Sequence, residues 1–157
     1  MATEIERKFL LANDDWRNGV ERSQRMTQGY IARSPTATVR IRMIDDSEAV
    51  LTLKGRTTGV SRPEFEYAIP RDEAEELLAL CGDARLTKTR HTVRHAGHEW
   101  VIDVFEGRLS GLIVAEIELD AETEIFDAPS WLGDEVSQDK RYANALLVDA
   151  TAPPIRE

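Results

Sequence analysis

Charged residues recur two positions apart along this chain of 157 residues, and they are sorted by sign. Glu4, Glu6 and Lys8 stand at alternate positions near the start, and Arg40, Arg42 and Lys54 follow. Glu64 and Glu66, Lys88 and Arg90, Asp103, and Glu116 and Glu118 complete the set. In a β-strand, residues two apart share a face. Several Lys and Arg on one surface suit a polyanion, Arg through its fork of donors to phosphate oxygens. Clustered carboxylates suit a hard divalent cation, and Mg2+ held by a few carboxylates, water and phosphate fits best. Carboxylates repel phosphate, so metal must stand between them. These residue types point to a metal-complexed oligophosphate as ligand.

The elements that must position these residues are mostly strands, because the chain alternates with period two between turn residues. Strands are predicted at Thr3–Leu11, Arg22–Ala32, Ala37–Ile44, Glu48–Lys54, Pro63–Pro70, Arg85–His95, His98–Phe105 and Ile113–Asp120. Asp45-Asp46-Ser47 and Ala96-Gly97 are short connections between alternating runs, which predicts antiparallel hairpins. A helix is expected at Arg71–Cys81, where Ala74, Leu77, Leu78 and Cys81 are spaced by three and four and Gly82 follows. A second is expected at Lys140–Val148 and a short third at Ala121–Phe126, ended before Pro129. One domain over residues 1–150 with a flexible tail at 151–157 is the expected organisation.

On these strands the charges lie opposite apolar residues. Arg40 and Arg42 oppose Val39, Ile41 and Met43; Glu64 and Glu66 oppose Phe65, Tyr67 and Ile69; Glu116 and Glu118 oppose Ile117 and Leu119. On any one strand this is an ordinary solvated face. Across seven strands the sorting needs another cause, since like charges on one strand face repel and a random surface mixes signs. A sheet closed on itself, charged face inward and apolar face packed under helices, supplies it. About eight strands close a barrel with a ligand-sized interior. The expected fold is mainly β (α+β), a closed eight-stranded antiparallel barrel with a few helices outside.

Composition narrows the function classes. With 20 Lys+Arg against 29 Asp+Glu the net charge is −9, which disfavours non-specific nucleic-acid binding. One cysteine, Cys81, excludes an internal disulfide and suits a reducing compartment. The start is too charged for a signal peptide and no apolar run reaches a membrane span, so a cytoplasmic protein with no membrane partner is expected. His91, His95 and His98 flank one turn and are read as hairpin decoration, since alternating strand faces make poor tetrahedral geometry. Cys81, Trp16, Trp100 and Trp131 are read as packing residues. The loop Gly55–Arg62 lacks P-loop spacing and is either a lid at a tunnel mouth or a plain hairpin loop.

Glu4-Ile5-Glu6-Arg7-Lys8 resembles the ExExK signature of the CYTH superfamily, the triphosphate tunnel metalloenzymes. Arg40-Ile41-Arg42, Leu51-Thr52-Leu53-Lys54, Glu64-Phe65-Glu66, Lys88-Thr89-Arg90, Asp103, Glu116-Ile117-Glu118 and Asp139-Lys140-Arg141-Tyr142 follow in the family's order. The chain is most similar to the short bacterial members that hydrolyse inorganic triphosphate to pyrophosphate and phosphate. The resemblance implies that Lys8, Arg40, Arg42, Lys54, Lys88 and Arg90 grip the triphosphate, joined by Lys140. It implies Glu4, Glu6, Asp103, Glu116 and Glu118 as metal ligands for Mg2+ or Mn2+, two ions per site, with Glu64 and Glu66 as further tunnel acids. Tyr30, in Gln28-Gly29-Tyr30, would work with Lys8 as a base dyad. The partner is a small-molecule triphosphate, and the chain a monomer or homodimer. Thiamine triphosphatase, nucleoside triphosphatase and adenylyl cyclase are the alternatives within the superfamily, and a non-catalytic polyphosphate-binding module the alternative outside enzymes.

Overall fold

A computed structural model describes residues 3–156. Met1, Ala2 and Glu157 lie outside the described residues, so the ends of the expected domain and tail fall there too. Among the described residues nine strands form: β1 (Thr3–Leu11), β2 (Val20–Arg33), β3 (Ala37–Ile44), β4 (Glu48–Gly55), β5 (Ser61–Ile69), β6 (Arg85–His95), β7 (His98–Phe105), β8 (Ile113–Glu118) and β9 (Leu132–Glu135). Alternating β-branched and aliphatic residues on one side of each strand give the pleated surface something to bury. The β3–β4 turn holds Asp45 and Asp46 at φ of 50° and 55°, and the β6–β7 turn holds Ala96 and Gly97 at 48° and 82°. Left-handed turns of this kind match the twist of the strands they join.

The strands run in the order β5-β4-β3-β2-β6-β7-β8-β1, and β1 pairs back onto β5 to close an eight-stranded antiparallel barrel. The closing edge of β1 is shared. Thr3, Glu4 and Ile5 lie opposite Pro63, Arg62 and Ser61 of β5, while Phe9 and Leu11 pair with the extra strand β9. Between the two, Glu6 N donates to Val60 O at 3.1 Å. Closure and polarity agree with the expectation.

The apolar core lies outside the barrel wall. Helix α1 (Arg71–Leu80) sets Ala74 and Leu78 on Ile41, Met43 and Ala49 of β3 and β4. Trp16, Trp100 and Trp131 form a second layer with Phe9 and Ile117, and Tyr142, Leu147 and Val148 a third with Phe105 and Val114. The three tryptophans are therefore core residues.

Two local expectations are corrected, and one further strand is added to those expected. Ala121–Phe126 is an irregular turn held by the Glu124 carboxylate, which accepts from Asp120 N at 2.6 Å. The expected Lys140–Val148 helix splits into a 3-10 turn at Lys140–Tyr142 and one α turn, α2 (Asn144–Leu147), separated by an extended Ala143. The break leaves the Tyr142 carbonyl without a helical partner, and Lys8 Nζ donates to it at 3.4 Å. Strand β9 carries no alternating pattern of its own. Near the end of the described residues, Arg141 Nη1 donates to Ile155 O at 3.0 Å, and Arg156 lies 3.9 Å from both Asp134 and Asp139. Among the described residues no helix is long and apolar enough to cross a membrane.

Candidate active site

Alternation on closed strands sends every second side chain inward, and the bore encloses a cavity of about 370 Å3. Glu4, Glu6 and Lys8 enter from β1, Arg40 and Arg42 from β3, Lys54 from β4, and Glu64 and Glu66 from β5. Lys88 and Arg90 enter from β6, Glu116 and Glu118 from β8, and Tyr30 from β2. Asp103 of β7 stands behind this lining and is wholly buried. Lys140 is exposed and lines a second cavity of about 630 Å3 at the mouth, which shares Glu4, Glu6 and Lys8 with the bore. Every expected side chain but Asp103 thus faces the bore or its mouth.

The acidic side centres on β1, β5 and β8. Lys54 Nζ donates to both oxygens of Glu4, at 2.9 and 3.1 Å, and lies 3.3 Å from Glu64. Burial raises the Glu4 pKa, but Lys54, a hydrogen bond with Glu64 and the Arg62 guanidinium outweigh it and bring it down to about 2. Glu6 behaves oppositely: burial, then the Glu116 carboxylate, pushes it up to about 8. Burial and the bond to Glu4 raise Glu64 to about 7, and burial with Glu4 raises Glu118.

Glu6 and Glu118 are register partners on β1 and β8, and like charges placed directly opposite are destabilising. Among the described residues no three acidic, His or Cys side chains form a ready-made metal cage. Mg2+ needs none, since one or two carboxylates with waters and substrate phosphates complete its shell. The all-oxygen donor set, crowded enough to retain protons, suits such an ion.

The basic side is organised around Asp103. Lys88 Nζ donates to Asp103 Oδ2 at 2.7 Å, and Arg90 donates through Nε and Nη2 at 2.8 and 2.9 Å. The two cations hold the Asp103 carboxyl far below the usual range despite its burial. Burial lowers Lys88 to about 7, Arg90 and Arg42 adding to the effect against Asp103. Burial, then Arg40 and Arg90, lowers Arg42 to about 9. Glu116 lies 3.8 Å from Lys8 and 3.6 Å from Arg90; its burial is outweighed chiefly by Lys8, and its pKa falls to about 2. Arg40 Nη2 donates to Thr52 Oγ1 at 3.3 Å, and Thr52 in turn bonds Glu66. Arg40 Nε is buried with no hydrogen-bond partner among the described residues. Tyr30 bears electrostatically on both Lys8 and Arg42, without a hydrogen bond to Lys8 among the described residues.

Sequence reasoning missed several participants. Arg62 shares the parity of Glu64 and Glu66, and Arg22, Gln24 and Gln28 that of Tyr30, so alternation alone could have found them. Asn144 carries no such signal; only the chain's return to the barrel places it there. His91 bonds Ser23 and leans on Trp16, while His98 bonds Glu124, so these two histidines serve separate contacts. Cys81 is buried, its Sγ donating to Leu77 O. The 55–62 loop is anchored, with Val60 N donating to Glu122 Oε1 at 3.2 Å.

The CYTH domain model matches residues 2–147. An inorganic triphosphatase of Acetivibrio thermocellus is 41% identical over 94% of both chains. One of Nitrosomonas europaea is 37% identical over 92% of this chain and 96% of its own. A solved inorganic triphosphatase structure superposes with a TM-score of 0.70 at 34% identity, covering 98% of this chain and 99% of that one. A Hippeastrum protein with a dominant triphosphatase activity shares the fold, with a TM-score of 0.59 at 18% identity over 75% of this chain and 80% of its own. A closed barrel whose inner face carries the ordered acids and bases, matched over nearly its full length, makes this chain a member of the CYTH domain family.

Proposed function

We propose that this chain is a divalent-metal-dependent hydrolase that cleaves inorganic triphosphate to pyrophosphate and phosphate. The observation that carries the reading is the enclosed bore, where eight Lys and Arg side chains face a carboxylate cluster across one small cavity. Its 34–41% identity to proteins named for that activity supports the substrate class. The protein is assigned to the cytoplasm, as a monomer or homodimer acting on a small molecule.

Phosphoryl transfer needs in-line positioning and neutralisation of charge on the transferred group and leaving oxygen. Lys8, Arg40, Arg42, Lys54, Lys88 and Arg90 supply positioning, and Arg40 Nε, without a partner among the described residues, is a donor that a phosphate oxygen would satisfy. Asp103, with both oxygens engaged, orients Lys88 and Arg90 and is not assigned a metal-binding role. Glu4, Glu6, Glu116 and Glu118 would hold Mg2+, with Mn2+ as the alternative and two ions per site. Bound there, the ion adds charge neutralisation at the phosphate chain. Glu64 and Glu66 tune Lys54 and, through Thr52, Arg40. Tyr30 serves as base toward the attacking water, working with Lys8 as a dyad. Lys140 meets the outer end of the anion at the mouth.

The mouth cavity, lined by Pro35, Val60 and Leu146 beside Arg56 and Lys140, favours one second reading: a triphosphate with an organic substituent, such as thiamine triphosphate. Inorganic triphosphate, thiamine triphosphate and ATP assayed side by side with Mg2+, Mn2+ and EDTA decide between them. Inorganic triphosphate should be turned over fastest and EDTA should abolish turnover; preference for ATP, or activity indifferent to EDTA, overturns the proposal. Glu116→Gln should cut turnover by roughly two orders of magnitude. A pure binder would show no turnover in either form and hold triphosphate at least as tightly after that substitution.

A further inference from the structure

A pair of side-chain amides, one buried and one half-buried, links the basic side of the bore to the C-terminal turn, and the reaction above does not use it. Gln28 of β2 is completely buried. Its Oε1 accepts from Arg42 Nε at 2.9 Å, and its Nε2 donates to Asn144 Oδ1 at 2.8 Å. Asn144 Oδ1 also accepts from Lys88 Nζ at 3.0 Å. Both amide orientations are forced. Guanidinium and ammonium groups can only donate, so an oxygen faces each, leaving the Gln28 amino group for the Asn144 oxygen.

We propose that Gln28 and Asn144 are a positioning pair that sets the Arg42 guanidinium and the Lys88 ammonium for the phosphate chain, making the C-terminal turn part of the cation ring. The pair rests on the triphosphate reading for its ligand. A guanidinium tied at Nε cannot rotate its plane, so its remaining donors stay directed at the cavity Arg42 lines. Lys88, with one hydrogen on Asp103 and one on Asn144, keeps its third for a ligand. The turn carrying Asn144 is too short to be stable alone. It is fixed by wholly buried Leu147 and by the Lys8 bond to the Tyr142 carbonyl. Gln28 touches no ligand space itself and acts through Arg42.

The test uses the full chain with Gln28→Met, Asn144→Ala, the double variant, and Leu109→Ala as a stability control from the same core layer. Binding of inorganic triphosphate without divalent ion is measured by calorimetry beside thermal unfolding. Each single variant should bind about tenfold more weakly, the scale of one hydrogen bond to a charged group. The double variant should be about as weak as the weaker single one, because both break one chain. Leu109→Ala should lower Tm and leave affinity unchanged. Singles that bind like wild type, losses that multiply in the double variant, or equal weakening in Leu109→Ala overturn the pair. Wild-type hydrolysis is followed in parallel: triphosphate bound but never cleaved ends the proposed function while leaving the pair testable. Should the wild type bind no triphosphate, the Arg42 Nε–H NMR signal decides. Its loss or shift in both single variants supports the pair, and an unchanged signal overturns it.

Discussion

Glu6 retains its proton to about pH 8 because burial and the Glu116 carboxylate both disfavour its charge. An unfolded glutamate ionises near 4.5, so between these values the native state binds more protons and stability falls as pH rises. Below pH 4.5 both states are protonated and the cost vanishes; above about 8 it is complete. Glu6→Gln, neutral throughout, should therefore gain Tm over wild type progressively from pH 4.5 to 8 in EDTA and hold that gain above. Added Mg2+ should raise Tm in wild type and much less in Glu6→Gln. Thermal melts across pH check both, and a Tm difference independent of pH would refute the placement of Glu6. The identity of such residues is legible in sequence because each chemistry needs its side-chain type. Their protonation is not, since it depends on a neighbour more than a hundred residues away.

Strand β2 and helix α1 meet at a contact only glycine permits. A Cβ on Gly29 would fall 2.8 Å from both Cβ and Sγ of Cys81, just after α1. Gly29 also separates Gln28 from Tyr30, so displacement there reaches the bore. Gly29→Ala should cost about 1–3 kcal/mol in the native background and much less in a Cys81→Gly background. Urea unfolding of the four proteins measures this, and equal cost in both backgrounds would mean that Cys81 does not crowd the site. At this scale the eight barrel strands and α1 were readable, because periodicity follows from which face is buried. Strand β9 was not: its four residues form a strand because β1 has an edge left over beyond β5. Nor was the break at Ala143, whose freed Tyr142 carbonyl meets Lys8 from a strand remote in the chain.

The whole molecule carries a net charge of −9 yet gathers eight Lys and Arg side chains in its bore. A polyanion bound there should stabilise the fold by linkage. Inorganic triphosphate at a hundred times its Kd without divalent ion should contribute about 2.7 kcal/mol, or a Tm rise of roughly 5–10 °C for a chain of this size. Added salt should shrink the effect. A Tm unmoved at saturating triphosphate would argue against an anion site inside the barrel. By itself the sequence determined which residues face inward, since alternation and charge type are properties of the strand. It thereby specified the barrel and the class of ligand. Only the tertiary structure decided that Asp103 stands behind the lining rather than in it, that Lys140 lies at the mouth, and that Gln28 bonds Arg42 while Asn144 bonds Lys88. Those assignments depend on distances between strands and turns remote in the chain, which no local pattern encodes.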